Sequence, residues 1–325
     1  MDAIHTRTGE KIRLIYFDES GAQIEIKDNE EFDFIYANLK IGVSILPNLL
    51  KVITHSITTL RLSNLYLVGK IAVKQKILHR DSEKERLLLL EGLTLNKLKF
   101  SNAGYHFEII FRDRHIWVTN QIEPAIFFEM VHQIFIQNQY DLTEQNIRGK
   151  VVIDAGAHIG TFSLMCAALG AEKIYAFEPL KENYKLLREN VDRNNMQAQI
   201  IPLNKALGDR ECLSEITYRT GAGYAAHISD PSSLEKNTQQ IEITTVDRFM
   251  GWGGQRVDFI KMDVEGFEEN IILGAKETIK KYKPVLSFAA YHIPDKWKLA
   301  EAVRRIREDY TITLNSFAEE DFYCE

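Results

Sequence analysis

From Gly149 onward, buried strand patterns alternate with amphipathic helix patterns, and this alternation constrains the fold more than any other feature of the chain. The strand patterns are KVVIDAG, KIYAFEP, AQIIPLNKAL, VDFIKMDVEG and KPVLSFAAYH, and helical patterns such as IGTFSLMCAALG and ENYKLLRENVDRNN lie between them. Such an alternation predicts an α/β fold with a doubly wound, mostly parallel sheet. The segments YTITLNS and DFYCE predict an antiparallel pair of strands at the end of the chain.

The first part of the chain is less regular. We predict an α+β accessory region over residues 1–145 and a ligand-binding domain over 146–325. The segments KIRLIYFDESGAQIEI and YHFEIIFRDRHIWV predict hairpins, and helices are predicted between residues 47 and 78 and after Pro124. Because the ligand-type motifs all follow residue 150, we expect the accessory region to recognise an acceptor molecule or to join copies of the chain into a homo-oligomer.

Composition excludes several classes of function. The formal charge of -6 argues against a nucleic-acid partner. The three cysteines show no metal-binding spacing, which favours a reduced, cytoplasmic protein. The first residues do not have the layout of a secretion signal, and no apolar run approaches the ~20 residues that cross a bilayer, so no transmembrane segment is expected.

Polar residues follow the ends of the predicted strands, where a doubly wound sheet binds its ligands. In chain order they are Asp154, Glu178 with Pro179, Asn204 to Asp209, Asp263 with Glu265, and His292. The carboxyl ends of parallel strands share one edge of the sheet, so these residues are expected to border one crevice.

The first two of these acids point to the type of ligand. Glu178 lies 22 residues beyond Gly156, where a carboxylate can accept hydrogen bonds from both ribose hydroxyls of a nucleoside. A diphosphate needs glycines and free N–H groups without a nearby negative charge, whereas Asp154 follows directly after the first strand. The loop therefore favours the cationic S-adenosylmethionine over NAD, with Asp154 either adding favourable charge or anchoring the loop. Asp154 could also simply cap the following helix.

Four segments together resemble the FkbM-type family of class I methyltransferases. They are DAGAHIGTFSL, YAFEPLKENYKLLREN, VDFIKMDVEGFEENIILGA and KPVLSFAAYH, and the resemblance covers roughly residues 105–325. It implies a Rossmann-like fold and S-adenosylmethionine-dependent methylation, with the hydroxyl of a sugar, a glycan or another small natural product as the acceptor. Many members have a glutamate near the end of the fifth strand, where this chain has SFAAYHIPD.

The expected site follows from these observations. The residues predicted to bind the cofactor are Asp154, Gly156, Ala157, His158, Gly160, Glu178, Pro179, Leu207 and Asp209. The predicted catalytic residues are His292 as the general base, with Glu265 in support, and Asp263. Glu265 could instead cap the next helix, and His292 could bond a backbone carbonyl.

Two further questions stay open at the level of the sequence. Asp263, Glu265, His292 and Asp295 could converge on a metal ion, but their spacing does not require one, and no metal is predicted. The alternative functions are an NAD-dependent oxidoreductase and a protein that binds S-adenosylmethionine without turnover. The polar segment at 219–240 is interpreted as a loop that either closes over the site or simply connects two elements.

Overall fold

The structure is a computed structural model of the 325-residue chain. It describes residues 4–17, 23–26, 28–29, 32–33, 105–120, 124–219, 222–227, 237–251, 254–290, 295–317 and 319–325. The strands, numbered in chain order, are β1 (Ile4–His5), β2 (Lys11–Phe17), β3 (Gln23–Ile26), β4 (Tyr105–Phe111), β5 (Arg114–Asn120), β6 (Val151–Ala155), β7 (Lys173–Phe177), β8 (Ile200–Leu203), β9 (Ala206–Leu207), β10 (Cys212–Arg219), β11 (Ala222–His227), β12 (Asn237–Thr244), β13 (Phe259–Met262), β14 (Val285–Ala289), β15 (Ile312–Ser316) and β16 (Glu320–Cys324). The helices are α1 (Pro124–Met130), a π-helix (Val131–Ile136), α2 (Glu144–Ile147), α3 (Thr161–Ala168), α4 (Lys181–Arg193), α5 (Val246–Phe249), α6 (Glu268–Gly274), α7 (Lys276–Tyr282) and α8 (Trp297–Ile306).

The main sheet has the strand order β15-β16-β14-β13-β6-β7-β8 within the described residues. The strands from β14 to β8 are parallel, and β16 runs antiparallel to both of its neighbours. Consecutive strands lie to one side from β6 to β8, whereas β13 pairs with the other side of β6. This reversal creates a switch point at the carboxyl ends of β6 and β13. The predicted α/β fold and the antiparallel pair at the end of the chain are confirmed.

The two faces of the main sheet are buried against different helices. Val152 of β6 belongs to a cluster that also contains residues of α3 and α4, whereas its neighbour Ile153 belongs to a cluster with residues of α5, α6, α7 and α8. Alternate residues of a strand point to opposite faces of the sheet. Because helices cover both faces of this strand, apolar side chains are needed on both faces. This explains the continuous apolar runs in the sequence.

The N-terminal sheet has the order β1-β2-β4-β5, with β3 paired to β2. Both predicted hairpins, β2 with β3 and β4 with β5, are therefore confirmed. The sheet packs on α4, where Asn190 and Asn194 hydrogen-bond to the backbone of β5. One buried cluster contains residues of the N-terminal sheet, α1, α3 and α4, so this sheet and one face of the main sheet share a hydrophobic core.

The predicted helix after Pro124 is confirmed, but it changes from α1 into the π-helix at Val131. π-helices are rare and occur frequently at functional sites. The helices predicted between residues 47 and 78 lie outside the described residues.

A smaller sheet, β11-β10-β12-β9, lies between β8 and α5 in the chain. The interpretation of residues 219–240 as a loop is therefore wrong for β11 and for the beginning of β12. The strands β10 and β12 pair over Cys212–Tyr218 and Asn237–Ile243, and this pairing is not visible in local composition because the partners are distant in the chain. The third predicted strand also divides, because β9 leaves the main sheet and pairs with β12.

Candidate active site

A cleft lies at the carboxyl ends of β6, β7 and β13, beside the switch point. It encloses about 1020 Å³ of space, part of which is open to solvent. Its walls come from the loop after β6, the end of β7, the segment after β13, the small sheet and the region of the π-helix. The expected crevice is thus present, and four separate parts of the chain shape it in addition to β6.

Gly156 begins the loop after β6 and has a φ of 74°. A Cβ atom at this position would lie 2.0 Å from the carbonyl oxygen of Asp263, so only glycine allows the loop to pass so close to the end of β13. The backbone N–H groups of Gly156 and Ala157 both donate to the carbonyl oxygen of Phe177, at 3.0 and 2.9 Å. These two N–H groups join the loop to β7 and are already occupied.

Glu178 follows β7, lines the cleft and is 5% exposed. Its Oε2 accepts a hydrogen bond from the backbone N–H of His158 at 2.8 Å, and its Oε1 accepts one from the backbone N–H of Leu180 at 2.9 Å. Burial raises the pKa of Glu178 to about 7, and these hydrogen bonds oppose that shift. The Nδ2 of Asn183 also donates to Oε1, at 3.5 Å. Oε2 of the ionised carboxylate keeps a further lone pair, so the side chain can accept an additional hydrogen bond from a ligand in the cleft.

A buried ion pair lies under the loop. The Nζ of Lys261 is 3.2 Å from Oδ1 of Asp154, and both side chains are almost fully buried. Nζ also donates to the carbonyl oxygen of Gly156 at 2.7 Å, while Ser163 donates to Oδ2 of Asp154 at 2.7 Å. Burial by itself lowers the pKa of the Lys261 amine, but the carboxylates of Asp154 and Asp263 raise it overall. The pair anchors the loop to β6 and β13.

The segment after β13 carries two acids that line the cleft, Asp263 and Glu265. Oδ2 of Asp263 accepts a hydrogen bond from the hydroxyl of Tyr140 at 3.0 Å. Glu265 has a φ of 56°, and Oε1 of the buried Glu268 holds the backbone around it by accepting from Val264 and Gly266 at 3.0 and 3.4 Å. Glu268 therefore positions the turn that carries Glu265.

The region of the π-helix forms a further wall, with Met130, Gln133, Ile134 and Tyr140 lining the cleft. The Sδ of Met130 lies 3.3 Å from Nδ1 of His158 and accepts a hydrogen bond from Thr161 at 3.5 Å. This wall therefore contacts the loop after β6 directly. Burial, followed by the charge of Lys261, lowers the pKa of His158 to about 4, so its ring is neutral near pH 7.

The opposite end of the cleft is apolar. Pro179 and Leu207 line it together with Leu180, Ala206 and Ile216. Ile216 belongs to β10, so the small sheet contributes to this end. Asn204 fixes the backbone there by donating to the carbonyl oxygens of Glu178 and Pro179, both at 2.9 Å.

Comparison with known proteins places the chain in a family. A sequence model of the methyltransferase FkbM domain matches residues 154–319, just over half of the chain. The chain belongs to the FkbM methyltransferase family. Residues before Asp154, including the wall formed by the π-helix and Tyr140, precede the matched segment.

Individual relatives are more distant. A ribosomal protein L11 methyltransferase from Carboxydothermus hydrogenoformans is 39% identical over 59 residues, which cover 18% of this chain and 19% of that protein. Among solved structures, an FkbM methyltransferase from Methylobacillus flagellatus KT is 18% identical, with a TM-score of 0.42 and coverage of 62% of this chain and 54% of the other. A putative methyltransferase from Streptococcus mutans in complex with SAH is 11% identical, with a TM-score of 0.37 and coverage of 58% and 96%. The chain thus spans about a fifth of the curated relative and about half of the FkbM structure.

Most residues that we predicted for this FkbM domain do lie around the cleft. Those that line it are Gly156, Ala157, His158, Glu178, Pro179, Leu207, Asp263 and Glu265. The site also contains residues to which the sequence analysis assigned no role, namely Lys261, Glu268, Gln133 and Tyr140. The spacing of Lys261 and Glu268 around Asp263 was visible in the sequence, but no local pattern indicated Gln133 or Tyr140.

Three predicted cofactor residues do not line the cleft. Asp154 lies beneath the loop in the ion pair with Lys261. A Cβ atom on Gly160 would lie 2.6 Å from Leu187, so this glycine allows α3 to pack closely on α4. Asp209 is partly exposed and lies 3.9 Å from Arg210. The predicted base, His292, lies outside the described residues.

Two features are absent from the described residues, a metal-binding cluster and a membrane-spanning helix. No group of three or more histidine, cysteine, aspartate or glutamate side chains in them could hold a metal ion. None of their helices combines the length and the apolar character that a membrane crossing requires.

Proposed function

We propose that this protein is an S-adenosylmethionine-dependent methyltransferase that methylates a hydroxyl of a sugar, a glycan or another small natural product. The observation that carries the proposal is the carboxylate of Glu178 at the tip of β7. Two backbone N–H groups and the amide of Asn183 orient it, and the remaining lone pair of Oε2 is available to a ribose hydroxyl. The membership of the FkbM family supports the same activity.

The residues of the cleft fit this donor better than a dinucleotide. A diphosphate site requires free backbone N–H groups in the loop after the first strand. Here the N–H groups of Gly156 and Ala157 donate to Phe177, and that of His158 donates to Glu178. The apolar end around Pro179 and Leu207 suits a flat adenine ring, and Glu178 separates it from the polar end.

S-adenosylmethionine supplies a methyl group that is activated by its bond to a positively charged sulfur. The chain itself must align the acceptor hydroxyl and remove its proton. We propose His292 as the general base and Glu265 as the residue that supports it. Asp263 is the third residue that we propose for the catalytic group. Glu265 lines the cleft on a turn that Glu268 holds in place, and the same loop carries Asp263. His292 follows β14, which is the parallel neighbour of β13 in the main sheet.

Binding of the donor can be tested at Glu178. We expect titration calorimetry to show that the wild-type protein binds S-adenosylhomocysteine and not NAD. The variant Glu178→Ala should bind at least about tenfold more weakly, because hydrogen bonds to a charged group each contribute roughly 1.5–3 kcal/mol. Glu182→Ala, an exposed glutamate of α4, is the matched control and should bind normally.

Several outcomes would contradict this assignment. Unchanged affinity in a folded Glu178→Ala variant would remove Glu178 from the site. Binding of NAD in preference to S-adenosylhomocysteine would favour the oxidoreductase. Binding of S-adenosylmethionine without any methyl transfer to an extract of the source cells would favour a binding protein.

The base can be tested with tritiated S-adenosylmethionine and acceptors from such an extract. His292→Ala should lower turnover by ~100-fold or more, with little change in donor affinity, because a positioned base contributes about 100- to 10,000-fold. His115→Ala, a change of an exposed histidine on β5, is the control. If Glu265→Gln gives the large loss and His292→Ala a mild one, Glu265 is the base. If neither loss exceeds about tenfold, both assignments fail.

A further inference from the structure

Gln133, in the middle of the π-helix, lines the cleft although its side chain has almost no contact with solvent. The residue is 7% exposed. Within the described residues, no protein group hydrogen-bonds to its carboxamide, and its backbone carbonyl oxygen accepts a hydrogen bond from the backbone N–H of Gln139 at 3.0 Å. The carboxamide atoms are not among the fully buried polar atoms without a partner, so they reach the space of the cleft, where a group that enters can complete their hydrogen bonds.

The contacts of the wall show which part of a bound nucleoside would lie near Gln133. Glu178 orients the ribose, and the apolar residues beyond it take the base. The rest of such a ligand must therefore extend past His158 toward the wall that contains Met130. Met130 contacts both His158 and Thr161, so this wall borders the cleft beside the loop after β6.

Near this wall the cleft is lined by both a cationic and an anionic side chain, Lys261 and Asp263. The Lys261 amine, which lines the cleft, is already directed at Asp154 and at the carbonyl oxygens of Ala155 and Gly156. It anchors the loop and does not leave a strong donor for an incoming carboxylate. Asp263 provides an anionic acceptor, and the Tyr140 hydroxyl holds its carboxylate in place at 3.0 Å.

We propose that Gln133 and the Tyr140–Asp263 pair bind the amino-acid end of the methyl donor. The Nε2 of Gln133 donates to the α-carboxylate, and Asp263 accepts from the α-ammonium group, with Tyr140 as its positioning residue. This inference rests on the proposed function, since it names a part of S-adenosylmethionine. It assigns a role in donor binding to residues that precede the segment matched by the FkbM family.

Two ligands that differ in this one part provide the test. S-adenosylhomocysteine carries the amino-acid end, whereas 5′-methylthioadenosine keeps the adenosine and the sulfur but has no carboxylate or ammonium. Calorimetry on the full chain is expected to show that Gln133→Leu weakens S-adenosylhomocysteine at least about tenfold while 5′-methylthioadenosine changes less than about twofold. Tyr140→Phe should show the same selectivity with a smaller loss.

Matched controls separate this effect from general damage to the wall. Gln137→Leu changes a glutamine at the end of the same helix whose amide contacts His132, and it should affect neither ligand. Tyr310→Phe removes a buried hydroxyl that donates to the carbonyl oxygen of Pro284, away from the cleft, and should also leave both affinities unchanged. If Gln133→Leu does not fold, Gln133→Glu keeps the size of the side chain and replaces its donor with an acceptor, so the same selective loss is expected.

The outcomes also separate this inference from the proposed function. If the wild-type protein binds neither ligand, the proposed function fails and this inference fails with it. If the wild-type protein binds both and Gln133→Leu weakens them equally, or weakens neither, the donor site stands and the inference is overturned. A selective loss for S-adenosylhomocysteine supports it.

Discussion

Two regions that line the cleft, the strand ends of the main sheet and the segment around the π-helix, carry their information differently. In the main sheet, the functional groups follow the ends of β6, β7 and β13, and each is part of a short contiguous motif such as DAGAHIG or KMDVEGFE. In the N-terminal region, Gln133 and Tyr140 lie seven residues apart on a segment that reads as an ordinary apolar helix. Both regions nevertheless line the same cleft.

This difference shows that the cleft extends beyond the segment that the family match recognises. The family match begins at Asp154, yet Tyr140 hydrogen-bonds to Asp263 and Met130 contacts His158. The motifs around Asp154 and Asp263 depend on close backbone packing, which restricts the residue type at each position. A wall that contacts a ligand through a few side chains does not impose such a pattern on its sequence.

The largest effect is expected from the ion pair at the centre of the main sheet. Lys261→Met should lower the free energy of unfolding by about 3–5 kcal/mol, because it leaves the buried carboxylate of Asp154 without its cation. Urea denaturation measures this change, with Lys185→Met, an exposed lysine on α4, as the control. A loss below about 1 kcal/mol would show that the pair does not organise the loop. The explanation that close packing restricts the residues around Asp154 would then lose its support.

The second effect tests whether the N-terminal sheet is an independent unit. Asn190 is buried on α4, and its side chain bonds to the backbone N–H and carbonyl oxygen of Thr119 and to the carbonyl oxygen of Ile159. Asn190→Ala should destabilise the protein by roughly 1–3 kcal/mol, because it leaves buried backbone groups without partners.

Because the two regions share a core, we expect the whole protein to melt in a single cooperative thermal transition. Asn190→Ala should shift that transition to a lower temperature. Calorimetric melting measures it, and Gln197→Ala, which removes an exposed bond to Asp192, is the control. Two separate transitions, with only one of them shifted by Asn190→Ala, would show that the N-terminal sheet folds independently.

A third effect, measured as a slope against pH and not as a loss at one pH, concerns the antiparallel edge of the main sheet. Asp321 of β16 is 1% exposed and neither of its carboxylate oxygens has a hydrogen-bond partner within the described residues. Burial, together with the charges of Asp263 and Glu319, raises the pKa of Asp321 to about 8. The folded state therefore keeps a proton that the unfolded chain loses near its ordinary pKa of about 4.

Stability should consequently fall as the pH rises from about 4 to 8, by on the order of 1.4 kcal/mol per pH unit for one proton, and this contribution should level off above that window. Asp321→Asn should flatten the dependence and make the protein more stable than the wild type at pH 8. Denaturation at a series of pH values measures the slope. The same slope in the two proteins would mean that Asp321 does not carry the proton.

A large part of the fold could be predicted because it depends on local patterns. The continuous apolar runs of β6 and β13 result from burial on both faces, and the polar residues that follow them mark the carboxyl edge. The hairpins were predicted from the segments KIRLIYFDESGAQIEI and YHFEIIFRDRHIWV, in which strand-type residues flank a short polar stretch. The small sheet was missed because β10 pairs with β12 across a distant and polar stretch, and because β9 leaves the main sheet only through tertiary pairing.

The sequence by itself determined the α/β class, the position of the ligand edge and the family, because close packing at Gly156 and around Asp263 restricts which residues can occupy those positions. The tertiary structure decided that Asp154 pairs with Lys261 beneath the loop instead of facing the cleft. It also brought Gln133 and Tyr140 to the same cleft as Asp263, more than a hundred residues later in the chain. The physical reason is that burial and hydrogen-bond partners depend on which distant segments pack together, and short-range periodicity does not contain that information.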